Sequence, residues 1–234
     1  MLYSVLAWPV ILPVLFWAFY HYHKDERQPE PVGHLLLAFL LGVGSFYLAG
    51  FMYEALGLVG LRFDAFELAE TNPLGLFVYA VLAIGSIEET AKMIPFLLVV
   101  IRFKEFNEPV DGVIYGSFIA LGFAMLENVQ YMHALNTYEA MARGFAGPVV
   151  HIAFASVWGY YIGRDYLCGR PIVPTILTIL AFTAILHGLY DFLVLTMHPL
   201  TLPPAAMMVG AIWVWRLRLI KDLHAQAAGV CPGD

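Results

Sequence analysis

The sequence predicts an all-α membrane protein, a polytopic bundle of about seven transmembrane helices. Of its 234 residues, 61% are hydrophobic and only 13% are charged, whereas an ordinary soluble domain carries about 25% charged residues. Apolar runs long enough to cross a bilayer recur along the whole chain. Such runs must be helical, because lipid offers no hydrogen-bond partner to an exposed backbone group.

The expected spans follow one another with short connections and without an internal repeat. They cover residues 2–20, 33–58, 74–101, 112–132, 148–163, 172–197 and 203–219. The N-terminus lacks the basic region and cleavage site of a signal peptide, so we expect a retained first helix. The loop at 61–73 mixes phenylalanines with acidic residues and fits either a short amphipathic helix in the outer interface or an acidic loop.

Basic residues set the expected orientation, because cytoplasmic loops carry an excess of lysine and arginine. The opposite loops hold only Arg62 and Arg143. The other side holds Lys24, Arg27, Arg102, Lys104, Arg164, Arg170, Arg216, Arg218 and Lys221. We therefore expect the N-terminus outside the cell and the C-terminus in the cytoplasm.

Composition also excludes some partners and cross-links. The net charge of −6 offers no concentrated positive surface for nucleic acid. Cys168 and Cys231 are too few for a disulfide framework, and neither lies in a metal-binding spacing. We expect two unpaired thiols that face a reducing compartment.

Ionisable side chains gather inside the predicted spans, where each charge costs about 2.5–3.5 kcal/mol and persists when it is paired or used. They are Glu88, Glu89 and Lys92 in the third span, Glu127 in the fourth, His187 and Asp191 in the sixth, and His151 at the outer start of the fifth. Helical spacing places Glu88 and Lys92 on one face, and likewise His187 and Asp191. Counting residues along each span puts all these groups in its middle-to-outer part, which predicts one polar pocket that opens outward.

This pocket suits hydrolysis of a peptide bond, which needs an activated water, a stabilised oxyanion and a proton for the leaving amine. Glu88 and Glu89 are acid–base candidates, because neighbouring carboxylates in a low dielectric favour a shared proton. Glu127, His151 and His187 could also form a zinc site with one open position. Without an HExxH motif, zinc-assisted and direct carboxylate catalysis both stay open.

Three motifs follow in order on separate spans: EExxK from Glu88 to Lys92, FxxxEN ending at Glu127 and Asn128, and HxxxD from His187 to Asp191. With the loop KDERQPEP, they resemble the PrsW family of intramembrane proteases from about the first loop to the sixth span. The chain is more distantly similar to the type II CAAX prenyl endopeptidases and bacteriocin-processing proteins. It differs from that group by having Glu127 in place of a histidine and Lys92 one position before the expected arginine.

The resemblance implies a multi-pass protein of the bacterial inner membrane that cleaves a membrane-anchored protein near its outward face. Anti-sigma factors and other envelope-signalling proteins are the implied substrate class. The implied catalytic core is about 74–197, within a single membrane domain of residues 1–234. The expected site consists of catalytic Glu88, Glu89, Glu127, His187 and Asp191, metal-binding Glu127, His151 and His187 if zinc is bound, and supporting Lys92, Asn128 and Arg143.

Two other functions fit part of the same pattern. Buried glutamate, histidine and aspartate side chains also line ion paths in transporters and proton-coupled carriers. The missing repeat argues against a carrier. A catalytically inactive scaffold is the other alternative, and the complete set of motifs argues against it.

Overall fold

The computed structural model describes residues 2–23, 28–132, 137–196, 198–225 and 231, and every regular element in that part of the chain is helical. Two of the elements are short turns, a π-helical turn at Ala80–Gly85 and a 3₁₀ turn at Val100–Arg102. The helices are α1 (Leu2–Tyr22), α2 (Val32–Leu58), α3 (Ala65–Thr71), α4 (Pro73–Tyr79), α5 (Ser86–Leu98), α6 (Pro109–Tyr131), α7 (Thr137–Leu167), α8 (Ile172–Leu195) and α9 (Leu202–Ala225).

Five helical stretches in the described part are long and apolar enough to cross a membrane: α2, Pro73–Arg102, α6, Tyr138–Leu167 and α8. They correspond to five of the predicted spans and confirm the helical, membrane-spanning class. The first and last predicted spans are also helical, over 21 residues in α1 and 24 residues in α9.

Two span boundaries differ from the sequence prediction. The third span is not one regular helix, since a π-helical turn interrupts it before Glu88. The fifth begins at Thr137 rather than 148, so His151 lies well inside α7 and not at its outer start. Hydropathy missed the first turns of α7 because they contain charged residues, among them Arg143, which pairs with Glu127 of α6.

The helix α6 forms the centre of the bundle. Its residues from Pro109 to Ala124 are all buried, and it packs chiefly against α2 and α7. A helix that is enclosed on every side lets its neighbours approach the same polar residues from different directions. The end of α6 that carries Glu127 lies next to Arg143 and His151 of α7.

The expectation of two unpaired thiols is wrong. Cys168, just after α7, and Cys231, beyond α9, form a disulfide with their Cα atoms 5.7 Å apart. The pair could not be predicted from the sequence, because 63 residues separate the two cysteines. They meet because α8 and α9 bring the chain back to the end of α7.

The segment between α2 and α4 contains a short helix, α3, rather than only an acidic loop. Asp64 caps it, since the carboxylate accepts hydrogen bonds from the backbone N–H groups of Phe66 and Glu67 at 2.8 and 3.2 Å. This segment also forms one wall of the polar cavity described below.

Candidate active site

The structure brings the sequence-predicted ionisable residues together into one connected polar group. Helix α5 contributes Glu88, Glu89 and Lys92, α6 contributes Glu127, α7 contributes Arg143 and His151, and α8 contributes His187 and Asp191. Asn128 lies apart: its side chain packs against the backbone of α7, where a Cβ on Gly147 would lie 2.9 Å from Asn128 Oδ1.

Glu89 is the hub of this group. Its Oε1 accepts hydrogen bonds from Lys92 Nζ at 2.6 Å and from His187 Nδ1 at 2.8 Å. Its Oε2 accepts one from the indole N–H of Trp158 at 2.9 Å. Both oxygens of this fully buried carboxylate are occupied, so Glu89 is held as an acceptor in a fixed position.

His187 is oriented by Glu89 on one side of its ring and faces other carboxylates on the other. With Nδ1 directed at Glu89, its Nε2 lies 3.6 Å from Glu88 Oε2 and 3.6 Å from Asp191 Oδ2. The sequence predicts that Asp191 steadies this imidazole, but Glu89 makes the closer contact. A histidine that donates through one ring nitrogen presents the other as a ligand or proton acceptor.

Glu88 has weaker hydrogen-bond partners than Glu89 and Glu127. Its Oε1 accepts a long hydrogen bond of 3.4 Å from the Tyr53 hydroxyl, while its buried Oε2 has no hydrogen-bond partner in the described part of the chain. The predicted ion pair with Lys92 is weak, since Lys92 Nζ lies 3.9 Å from Glu88 Oε2 but 2.6 Å from Glu89 Oε1. A buried polar atom without a partner costs free energy, which suggests that it serves the chemistry.

A second set of contacts surrounds Glu127. Lys92 Nζ lies 2.9 Å from His151 Nδ1, and an ammonium can only donate, so His151 accepts there. The other ring nitrogen of His151 then donates to Glu127 Oε2 at 2.5 Å. Arg143 Nη2 donates to Glu127 Oε1 at 2.8 Å and thereby closes this chain of polar contacts.

The ligand set that could hold a metal differs in one member from the sequence prediction. Glu88, His151 and His187 offer ligand atoms that lie within 4.8 Å of one another. Glu88 thus takes the place expected for Glu127, which contacts His151 instead. The unpartnered Oε2 of Glu88 and Nε2 of His187 fit a metal ligand set, whereas both ring nitrogens of His151 already have partners.

A close helix crossing places Glu88 and Glu89 against His187. A Cβ on Gly85, in the π-helical turn, would lie 2.1 Å from the carbonyl oxygen of Ala184. A Cβ on Gly188 would lie 2.3 Å from the carbonyl oxygen of Ala80. Only glycine allows the two backbones to approach this closely, and the approach carries the start of α5 to the polar face of α8.

Sequence reasoning missed the aromatic residues that complete the site. Trp158 binds Glu89, Tyr53 contacts Glu88, and Phe154 stacks on the His187 ring with centroids 5.1 Å apart. In the sequence, an aromatic residue within an apolar span cannot be distinguished from a residue that only packs in the hydrophobic core. Only the long-range packing of α2, α5, α7 and α8 reveals these partners.

Two cavities formed by the described residues reach the polar group. A polar cavity of about 500 Å³ lies among α2, α3 and α6, and both Glu88 and Glu127 line it. A mostly apolar cavity of about 840 Å³ lies among α7, α8 and α9, and its lining includes Glu127, His151, His187 and Asp191.

Comparison with known proteins identifies the relatives of this chain. The sequence profile described as "PrsW family intramembrane metalloprotease" matches residues 30–217. Protease PrsW of Clostridioides difficile (strain 630) is 29% identical over 226 residues, which cover 90% of this chain and 87% of that protein. Protease PrsW of Geobacillus kaustophilus is 30% identical over 208 residues, with coverages of 89% and 87%. For Protease PrsW of Bacillus subtilis the identity is 28% over 208 residues, with coverages of 88% and 89%.

No solved structure matches this chain. The relatives are named as proteases, which disfavours the transporter alternative.

Proposed function

Because this chain belongs to the PrsW family of intramembrane proteases, we propose that it cleaves membrane-anchored proteins at the group formed by Glu88, Glu89 and His187. The observation that carries the proposal is the buried Oε2 of Glu88, which has no partner in the described part of the chain and lies 3.6 Å from His187 Nε2. Peptide hydrolysis needs a base that can take a proton from water, and this oxygen is free to do so.

Glu88 acts as the general base and is reached by water through the polar cavity. It takes a proton from the attacking water and later returns one to the leaving amine. Without a metal, His187 stabilises the charge that develops on the scissile carbonyl oxygen as an imidazolium, which donates through Nε2 while Nδ1 donates to Glu89, and Asp191 beside it favours that charged form. Glu89 keeps the His187 ring in place, and Lys92 compensates the charge of Glu89.

Glu127 and Arg143 complete the site from the other side. Glu127 orients His151 through the 2.5 Å contact, and Arg143 holds Glu127 in turn. Asn128, expected from the sequence to support the site, acts on it only through its packing against α7 at Gly147.

If the protease holds zinc, Glu88, His151 and His187 are the residues that would bind it. Glu127, the ligand expected from the sequence, would then orient His151 through the ring nitrogen that it contacts. A bound zinc ion would supply Lewis-acid polarisation of water or of the scissile carbonyl.

The membrane arrangement that we propose has seven spans, because α1 and α9 add to the five apolar stretches. The distribution of basic residues favours an external N-terminus and a cytoplasmic C-terminus. The chain is then one membrane domain, and its active site, built from residues between about 74 and 197, lies in the half nearer the outer surface. The proposed substrates are membrane-anchored proteins of the anti-sigma-factor type.

The test uses a single-pass reporter of the anti-sigma-factor type that carries a different epitope tag at each end. Co-expression of the wild-type chain should separate the two tags, whereas Glu88→Gln should lower the cleavage rate by at least about a hundredfold. Glu70→Gln is the matched control, because it removes a carboxylate from the exposed surface of α3. Equal cleavage by Glu88→Gln and Glu70→Gln, at equal amounts of folded protein, would refute the assignment.

A further inference from the structure

The polar group lies between two cavities of different chemistry. Glu127 lines both of them, Glu88 lines only the polar cavity, and Asp191 lines only the apolar one. A reactant that enters from either side therefore reaches the polar group, at Glu88 and Glu127 from the polar cavity and at Glu127 and Asp191 from the apolar one. Hydrolysis inside a membrane has two reactants of opposite polarity, water and an apolar polypeptide.

The polar cavity is suited to water. Its walls include charged side chains, among them Glu54, Arg62 and Asp64. These residues are exposed at the end of α2 and in the segment before α3. An apolar chain would have to displace the hydration of these groups, which costs free energy.

The second cavity has the walls of a helix-binding surface. We call it the α7–α9 groove. Small side chains from α7 and α9 line it: Ala142, Ala146, Gly147, Ala205, Ala206 and Gly210. Small residues let helix backbones approach each other closely in a membrane, where packing rather than hydrophobicity drives association.

The α7–α9 groove borders the apolar outer surface of the bundle. Leu202 and Val214, which line it, are 48% and 45% exposed, and Met207 beside them is 67% exposed. In a membrane protein these side chains face lipid, so a transmembrane segment can reach the groove by lateral diffusion. Arg143 also lines the groove, and its buried Nε has no hydrogen-bond partner among the described residues.

From these observations we infer that the α7–α9 groove binds the transmembrane segment of the protein substrate, while water reaches Glu88 and Glu127 from the polar cavity. The inference rests on the proposed function and adds the surface that selects the substrate. Arg143 lines the groove with a side chain that is 29% exposed, so its guanidinium can donate to a backbone carbonyl of the bound segment, since an unwound chain next to the scissile bond presents such acceptors.

Gly210 provides a variant that fills the groove without disturbing the protease itself. A Cβ at Gly210 would meet no atom within 4 Å, and Gly44 on α2 is likewise open and exposed but lies outside both cavities. Gly210→Phe should slow cleavage of the two-tag reporter by at least about tenfold. The phenylalanine would occupy room that the substrate segment needs, and a change of even one methylene group in a hydrophobic pocket alters substrate selection by about that factor. Gly44→Phe should cleave at the wild-type rate.

Cross-linking tests binding independently of cleavage. A photoreactive phenylalanine analogue at Ala206, one turn from Gly210 on the same face of α9, should cross-link to the reporter's transmembrane segment in the Glu88→Gln background. The same analogue at Gly44 should not. Cross-linking at neither position, or equal cleavage by Gly210→Phe and Gly44→Phe, would mean that lipid alone fills the groove. Failure of the wild type to cleave the reporter would count against the proposed function, while cross-linking from Ala206 would still support the binding surface.

Discussion

The Nδ1 atom of His187 lies 2.8 Å from Oε1 of Glu89, and this contact determines which side of the imidazole faces the reaction. Because Nδ1 is engaged, Nε2 is the nitrogen directed at Glu88 and Asp191. Glu89 therefore positions His187, while its neighbour Glu88 keeps an oxygen open in the described part of the site. Adjacent glutamates have different environments, and that difference separates their roles.

The pairing of Glu89 with Lys92 makes a testable prediction about stability. Glu89→Gln leaves the fully buried Lys92 ammonium without its closest countercharge, which should lower the free energy of unfolding by about 3–5 kcal/mol. The double variant Glu89→Gln with Lys92→Met removes the orphaned charge and should recover part of that loss. Equilibrium unfolding in detergent measures both effects. A double variant that is less stable than Glu89→Gln alone would contradict the pairing.

The close crossing at Gly188 predicts a loss of activity from a single methyl group. Gly188→Ala would place a Cβ 2.3 Å from the carbonyl oxygen of Ala80 and push α8 away from the π-helical turn. We expect about a hundredfold slower reporter cleavage, since displacement of catalytic groups by an ångström has that effect, and a loss of about 1–3 kcal/mol in stability. Gly44→Ala is the control, because its Cβ would meet nothing within 4 Å. Wild-type cleavage by Gly188→Ala would show that the crossing does not set the geometry.

Metal content is the prediction that decides the catalytic type. A metalloprotease should carry near-stoichiometric zinc in the purified, detergent-solubilised wild-type protein and lose it in His187→Ala, because His187 offers an open ligand atom of the candidate set. Glu70→Gln should retain the metal. Elemental analysis of the three proteins provides the measurement. Metal-free protein that still cleaves the reporter would instead assign catalysis to Glu88 and Glu89 acting directly on water.

The disulfide predicts a result that depends on orientation. Cys168 and Cys231 lie at the end of the bundle that also carries Arg164 and Arg170, which the distribution of basic residues assigns to the cytoplasm. Cytosolic reductants open such bonds. The disulfide seen in the structure should therefore protect both cysteines from maleimide in protein purified in air, and it should open to two reactive thiols in cells lysed directly into that reagent if this end faces the cytoplasm. Cysteines already protected in cells would reverse the proposed orientation.

The sequence predicted the members of the site better than their contacts. Glu88, Glu89, His187 and Asp191 could be found because charges at membrane depth are costly and therefore rare. Helical spacing could not decide whether Lys92 pairs with Glu88 or Glu89, since both lie within one turn of it. Trp158 and His187 decide it, from 69 and 98 residues away, by donating to Glu89.

The fold prediction failed in places where the local sequence pattern does not determine the structure. Apolar composition revealed the spans, but it carries no information on hydrogen-bond register, so the π-helical turn was not foreseen. It also began the fifth span too late, because the charge of Arg143 in the first turns of α7 is balanced by a residue of another helix. Pairing between Cys168 and Cys231 depends on the tertiary path of the chain, which two isolated cysteines do not encode.

The π-helical turn before the carboxylate pair has a consequence for insertions and deletions. A π turn accommodates one more residue than the α-helical turn it replaces. Removing one residue from Ala80–Gly85 would let the backbone close into a continuous α-helix, and the residues on either side would keep nearly the same relative direction, because the wider turn already absorbs the extra residue. Removing one residue from the α-helical part before Glu88 has no such compensation and would rotate the two sides by about 100° relative to each other. The π turn thus lets α4 and α5 keep their relative orientation with one residue more than a continuous helix would need.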